Sequence, residues 1–336
     1  MKILIYSDVH ISQTSSIVTS MGEKYSIRLQ HIIDSLNWAE KLAVTEGCDA
    51  VFNLGDTFDK PHINAMEATA IQDIKWAPIN HYVLVGNHDS DIASLEYSSV
   101  SVLNRDNVKI INSPDHLACG DVVFTFIPYI KESDRKPLRE YLLTDNDIVL
   151  SHNDISGISF GSFQSKEGFK LDDIKKDCKL FLNGHLHNSA WLCTNALNVG
   201  NLCGQNFSEN AAIYKHGAWI LDTDSMQMTF YENPYALNFI RFDDPNTEDL
   251  KQIKNNSVLM IKCERSTGSK LADALDHYAD KIIAKRFVYY DIAVDDINTH
   301  SGTFQKVDHI KAFAEFVHQK LGNTEVVNHE LGEICK

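Results

Sequence analysis

Short apolar runs alternate with amphipathic stretches through the first 230 residues. Lys2–Tyr6 is a run of β-formers that ends in a polar turn. Across Tyr25–Glu46, Ile27, Ile32, Ile33, Leu36, Ala39, Leu42 and Ala43 recur near the helical period, which predicts a helix, and Gly47 is a suitable stop. Ala50–Leu54 predicts a second buried strand, Ala65–Trp76 a shorter helix ended by Pro78, and His81–Val85 a third strand. This strand–helix order implies a parallel sheet with crossover helices.

From Val108 the rhythm turns to strands: Val108–Ile111, Val122–Ile127, Asp147–Ser151, Lys179–Leu182, Ser189–Cys193, Ala196–Val199, Gly217–Leu221 and Met226–Tyr231. The last two flank the turn-forming Asp222-Thr223-Asp224-Ser225 and predict a hairpin. A more antiparallel second sheet is expected here. Residues 241–256 are polar and rich in Asp and Asn, so a linker is placed there. Beyond it, Ser257–Cys263 (strand), Lys270–Ile283 (helix), Phe287–Val294 (strand) and Val307–Leu321 (helix) predict a small α/β unit.

Composition narrows the function classes. A 43% hydrophobic and 23% charged chain is ordinary globular protein, not a disordered one. The net charge of −15 lies mostly before residue 237 and excludes a protein that coats nucleic acid by bulk positive charge. Seven cysteines without a CxxC pair point to reduced thiols in an intracellular, cytoplasmic setting. Asp8 and His10 interrupt the first apolar run, so no signal peptide is read there, and no run approaches the ~20 residues that cross a bilayer.

Five short polar segments carry the chemistry, each at the carboxyl end of an apolar strand. They are Ser7-Asp8-Val9-His10, Gly55-Asp56-Thr57-Phe58-Asp59, Gly86-Asn87-His88-Asp89, Ser151-His152-Asn153 and Gly184-His185-Leu186-His187. Ligands of open α/β sheets gather at that rim. Asp8/His10 and His185/His187 are i, i+2 pairs, which extended chain points to one side. Carboxylate, imidazole and amide form a mixed donor set that suits Mn, Fe or Zn more than Ca. Seven or eight such groups exceed one tetrahedral ion and suffice for two ions sharing a bridge. Any one segment alone reads as a turn, a helix cap or a packed histidine. Their joint occurrence in this order is what argues for a site.

The order SDxH … GDxFD … GNHD … H … GHxH resembles the calcineurin-like metallophosphoesterases. Within them it is most similar to the SbcD-type nuclease subunit of the DNA double-strand-break repair complex, in a short form like those of tailed phages. The motifs span Asp8 to His187, with a weaker likeness through Gly200 and Phe207-Ser208-Glu209 to about Leu221. The resemblance implies a four-layer α/β/β/α sandwich over residues 1–240 and a small α/β capping domain over 257–336. It implies two manganese ions, with magnesium able to substitute. Asp8, His10, Asp56 and His187 would hold the first ion. Asp56 would bridge to a second completed by Asn87, His152 and His185. His88 would face the scissile phosphate, and Asp89 would orient His88 or its loop. Asp59 stands where some relatives carry a histidine. Asp59-Lys60-Pro61 also departs from the GDxxDRG pattern of protein Ser/Thr phosphatases.

The activity implied is double-strand exonuclease and single-strand endonuclease action on DNA, beside an SbcC-type coiled-coil ABC ATPase, as a homodimer, in the host cytoplasm if the chain is phage-encoded. Val307–Leu321 would dock the ATPase, and Tyr25–Glu46 or Ala65–Trp76 would serve the dimer. Basic groups for DNA are grouped as Lys131, Arg135, Lys136 and Arg139, as Lys166 to Lys179, and as Lys281, Lys285 and Arg286. Two rivals stand beside this reading: a phosphomonoesterase or cyclic-nucleotide phosphodiesterase of the same superfamily, and a non-catalytic scaffold.

Overall fold

The computed structural model describes residues 1–91, 94–160 and 163–290. They all fall within one compact unit, Met1–Asp291. In chain order the main elements are β1 (Lys2–Tyr6), α1 (Ile27–Thr45), β2 (Ala50–Asn53), α2 (Ala65–Ile71), β3 (Asn80–Leu84), β4 (Val108–Ile111), β5 (Asp115–Cys119), β6 (Val122–Ile127), β7 (Ile148–Ser151), α3 (Leu171–Asp177), β8 (Leu180–Asn183), β9 (Ala190–Cys193) and β10 (Ala196–Asn198). There follow β11 (Gly217–Asp222), β12 (Gln227–Glu232), β13 (Asn238–Asp243), β14 (Ser257–Glu264), α4 (Arg265–Leu275) and β15 (Ile282–Tyr290).

The first sheet runs β12-β11-β1-β2-β3-β4. Its β1 to β4 are parallel, and the β11–β12 hairpin adds antiparallel to β1. The second sheet runs β9-β10-β8-β7-β6-β5. Alternation along the strands builds the layers. Ile3, Ile5, Phe52 and Leu84 point inward to meet Phe124, Phe126, Leu150 and Leu182 of the second sheet. Leu4, Tyr6, Val51 and Val83 point outward, against Leu29, Ile33 and Leu36 of α1. On the far side, Val149, Phe181 and Ala196 pack with Ile174 of α3. The result is an α/β/β/α sandwich. Phe52 anchors its centre, edge-on to Phe124 and Phe126 at 5.2 Å.

Several expectations are corrected. The second sheet is parallel through β10, β8, β7 and β6, with antiparallel partners only at its two edges. The parallel strands are buried on both faces, which erases the alternation an antiparallel sheet would show. Strand β5 was not anticipated; its half-exposed residues carry no period, and it exists by pairing with β6. Helix α2 ends at Ile71 rather than Trp76, because α1 takes over the following backbone. Asn37 accepts from the Lys75 amide at 2.7 Å, and Glu40 accepts from that of Ala77 at 2.9 Å.

Within 241–256, placed above as a linker, the end of β13 pairs in parallel with β14, and Leu250 and Ile253 are buried in the small sheet's core. That sheet runs β13-β14-β15, all parallel. Its helix spans Arg265–Leu275, earlier than Lys270–Ile283, and a 3-10 turn at Asp276–Lys281 leads into β15. The predicted Val307–Leu321 helix lies outside the described residues. No helix among the described residues is long and apolar enough to cross a membrane.

Candidate functional site

The five polar segments begin at or within two residues of the carboxyl ends of β1, β2, β3, β7 and β8. Parallel pairing puts the first three at one rim and the last two at another, and face-to-face stacking joins the rims. The backbone there is tightly bent. Asp8 (φ 51°), His10 (φ 49°), Asp56 (φ 49°) and His185 (φ 71°) all adopt the left-handed region, at a cost of order 1–3 kcal/mol each. Amide hydrogen bonds hold the bends: Asp8 donates to the Gly55 carbonyl and His10 to that of Asp56, both at 3.0 Å. Gly86 is required by contact, since a Cβ there would lie 2.1 Å from the Asp56 carboxylate.

Three overlapping groups of donors result. Asp8, His10 and His187 form one, Asp56, His152 and His185 another, and His10, Asp56 and His88 a third that spans the first two, with donor atoms in each lying within 4.8 Å of one another. His187 Nε2 and His10 Nε2 approach Asp8 Oδ1 to 3.9 and 4.0 Å. Asp56 Oδ2 stands between the groups, 3.7 Å from His10 Nε2 and 3.2 Å from His152 Nε2. Asn87 Oδ1 completes the second, 2.9 Å from His185 Nδ1 and 3.2 Å from His152 Nε2. All seven expected ligand positions therefore converge.

The donor set fits divalent cations. Asp8 Oδ1 and His10 Nε2 are buried without a hydrogen-bond partner, although buried polar groups are rarely left so. A cation between them would satisfy both. The outer nitrogens of His152, His187 and His185 are also engaged, and that of His10 has a carboxylate within ion-pair distance. His152 Nδ1 meets the Leu54 carbonyl at 2.6 Å, and His187 Nδ1 meets Glu209 at 2.6 Å. His185 Nε2 lies 3.3 Å from Asp154, and His10 Nδ1 lies 3.4 Å from Asp59. Metal-binding imidazoles are oriented by such partners.

The electrostatics follow from close packing. Burial disfavours the His152 imidazolium, but the Asp56 carboxylate outweighs it and pushes the group up to about 9. His187 is likewise held at about 9: burial opposes its charge, and Glu209 more than compensates. Asp56 sits far below the usual carboxylate range, since His152 and His10 overcome the cost of its burial. Burial, with the Asp56 charge, raises Asp89 to about 7.

His88 is exposed at the mouth, its ring 4.7 Å from that of His10. Its amide donates to Asp56 Oδ1 at 2.9 Å, and its Nδ1 lies 3.1 Å from the Asp59 carbonyl. Asp89 is fully buried and accepts from the amides of Phe58 (2.8 Å) and Gly86 (2.9 Å), so it ties the loops after β2 and β3 together. Of the two roles considered for Asp89, this geometry matches the loop.

The five motifs do not mark Asp59, Asp154 or Glu209 as partners of the histidines; the folded chain brings them there. Glu209 also accepts from Asn201 and the Gln205 amide, both at 2.8 Å. The Phe207-Ser208-Glu209 likeness was the one available signal for it. Among the basic groups, Arg135 is committed to structure. It bonds the Ile130 carbonyl, pairs with Glu132 and lies over the Phe169 ring. Arg139 pairs with Asp145 and Lys175 with Asp172.

The family model for calcineurin-like phosphoesterase matches residues 1–189. The DNA double-strand break repair protein Mre11 of Sulfurisphaera tokodaii is 24% identical over 199 residues, covering 55% of this chain and 49% of that protein. The chain thus spans about half the length of this relative. Similar solved structures include an archaeal phosphodiesterase (15% identity, 69% of this chain and 99% of that chain, TM-score 0.37). Others are the phosphoesterase Yfce from E. coli (12%, 69% and 100%, 0.32) and a dimetal phosphatase from Danio rerio (10%, 65% and 91%, 0.38). With more than half of its length matched by the family model, the chain belongs to the calcineurin-like phosphoesterases.

Proposed function

We propose that this chain is a manganese-dependent DNA nuclease, acting as an exonuclease on double-strand ends and an endonuclease on single strands. The observation that carries the reading is the pair of donor groups joined by Asp56, in a chain similar to a DNA double-strand break repair protein. Asp8, His10, Asp56 and His187 hold one ion. Asp56, Asn87, His152 and His185 hold the other, and magnesium can replace manganese. Two bound ions supply Lewis-acid stabilisation at phosphorus and acidify water. The chain's own part is to fix the donors, to exclude flexibility through Asp59, Asp154 and Glu209, and to present His88 to the scissile phosphate as a charge stabiliser or proton donor.

A net charge of −15 argues for weak DNA affinity in the isolated chain. An SbcC-type ATPase and a second copy of the chain then supply the remaining contacts, as the motif resemblance implies. The test offers purified protein with Mn²⁺ three substrates: linear duplex DNA, circular single-stranded DNA and p-nitrophenyl phosphate. Cleavage of both DNAs is expected. Hydrolysis of p-nitrophenyl phosphate alone would replace this reading with a phosphomonoesterase.

A further inference from the structure

Beside the Asn87 amide the surface opens into a cavity of about 400 Å³. Tyr129, Tyr141, Leu95 and Pro114 supply apolar wall, and Lys131, Lys136 and the Asp134 carboxylate also line it. Tyr129 links the cavity to the donor groups. Its ring lies 6.2 Å from that of His185, and its amide donates to the Val85 carbonyl at 3.0 Å, next to the Gly86-Asn87 turn. Tyr141 is also fixed, edge-on to Phe169 at 6.0 Å, with its hydroxyl accepting from the Lys136 amide at 2.9 Å. Among the described residues the Lys131 ammonium has no hydrogen-bonded or ion-paired partner. A rigid aromatic face, an apolar pocket of this size and a free cation adjoin a site built for phosphate.

Charge sharpens the point. An acidic chain gains little from backbone phosphates, so affinity must come from contacts that salt does not screen. Stacking of a base on an aromatic side chain is such a contact. We propose that this cavity receives the nucleobase of the nucleotide whose phosphate lies at the Asn87 donor group, stacked on Tyr129. The inference rests on the nuclease reading for its substrate class and adds the subsite that grips one nucleoside.

Calorimetry on the full chain with Mn²⁺ tests it, comparing dAMP with 2-deoxyribose 5-phosphate. dAMP is expected to bind about tenfold more tightly. Tyr129→Phe should keep that advantage, and Tyr129→Ala should remove it while leaving deoxyribose phosphate binding unchanged. Equal affinities in the unmodified protein, no binding of either compound, or an advantage that survives Tyr129→Ala would each overturn the subsite. Duplex cleavage is assayed on the same sample. DNA cleavage with equal affinities removes the subsite alone, and tighter dAMP binding without DNA cleavage removes the nuclease reading alone.

Discussion

Asp56 Oδ2 lies 3.2 Å from His152 Nε2, across the seam between the two sheets. One residue follows β2 and the other follows β7, so the contact exists only when both sheets are stacked. Asp56→Asn keeps the shape and removes the charge that two donor groups share. Expected outcomes are loss of DNA cleavage and a manganese stoichiometry below two by elemental analysis. An Asn variant that retains both would remove Asp56 from its bridging position.

His88 stands at the mouth, exposed, with a ring nitrogen within 4.8 Å of donor atoms of His10 and Asp56. In the proposed role of charge stabiliser or proton donor, His88→Ala should leave manganese binding intact and slow turnover by about 10²- to 10⁴-fold, the range for a lost general acid. Stoichiometry and single-turnover rates measured on one preparation separate the two effects. Loss of metal instead would mean the ring is a ligand.

Glu209 meets His187 at 2.6 Å and is itself held by Asn201 and the Gln205 amide. Glu209→Gln should weaken manganese binding by about 10- to 100-fold, as removal of an orienting carboxylate does elsewhere. Competition with a chelating dye reads the constant directly. An unchanged constant would make Glu209 a packing residue only.

Acidity should control metal loading. Without metal, His152 and His187 titrate near 9, against about 6.5 in an unfolded chain. Their ion pairs thus stabilise the metal-free fold fully below about pH 6.5, and that contribution is lost as pH rises through about 9. Manganese must displace both protons, so its affinity grows over the same window. Thermal unfolding should show a larger manganese-induced rise in Tm at about pH 8.5 than at about pH 6.5. A shift independent of pH would mean that His152 and His187 are not protonated in the metal-free protein at about pH 6.5.

Local pattern was enough for much of this protein. The helical period placed α1, the apolar runs placed β1 to β3, and a polar segment with Gly, Asn, Asp or His closed each strand that feeds the site. These features depend on neighbours a few residues apart, so they are visible in one dimension. The donor residues were legible for the same reason: each sits where a buried strand must turn.

Long-range contact decided the rest. The β11–β12 hairpin was predicted as a hairpin, but only stacking placed it beside β1, because its strands could pair at any open edge. The second sheet's parallel core, the end of β13 inside the expected linker, and β5 all depend on a distant partner strand for their hydrogen bonds. Asp154 and Glu209 gained their positions beside histidines in the same way, through distances that no short window of residues encodes. Chain order thus determined which side chains could bind metal, through local turn chemistry. Tertiary packing alone decided which of them face each other and which carboxylates hold them there, because a hydrogen bond or ion pair between remote residues has no sequence signature until the sheets close over it.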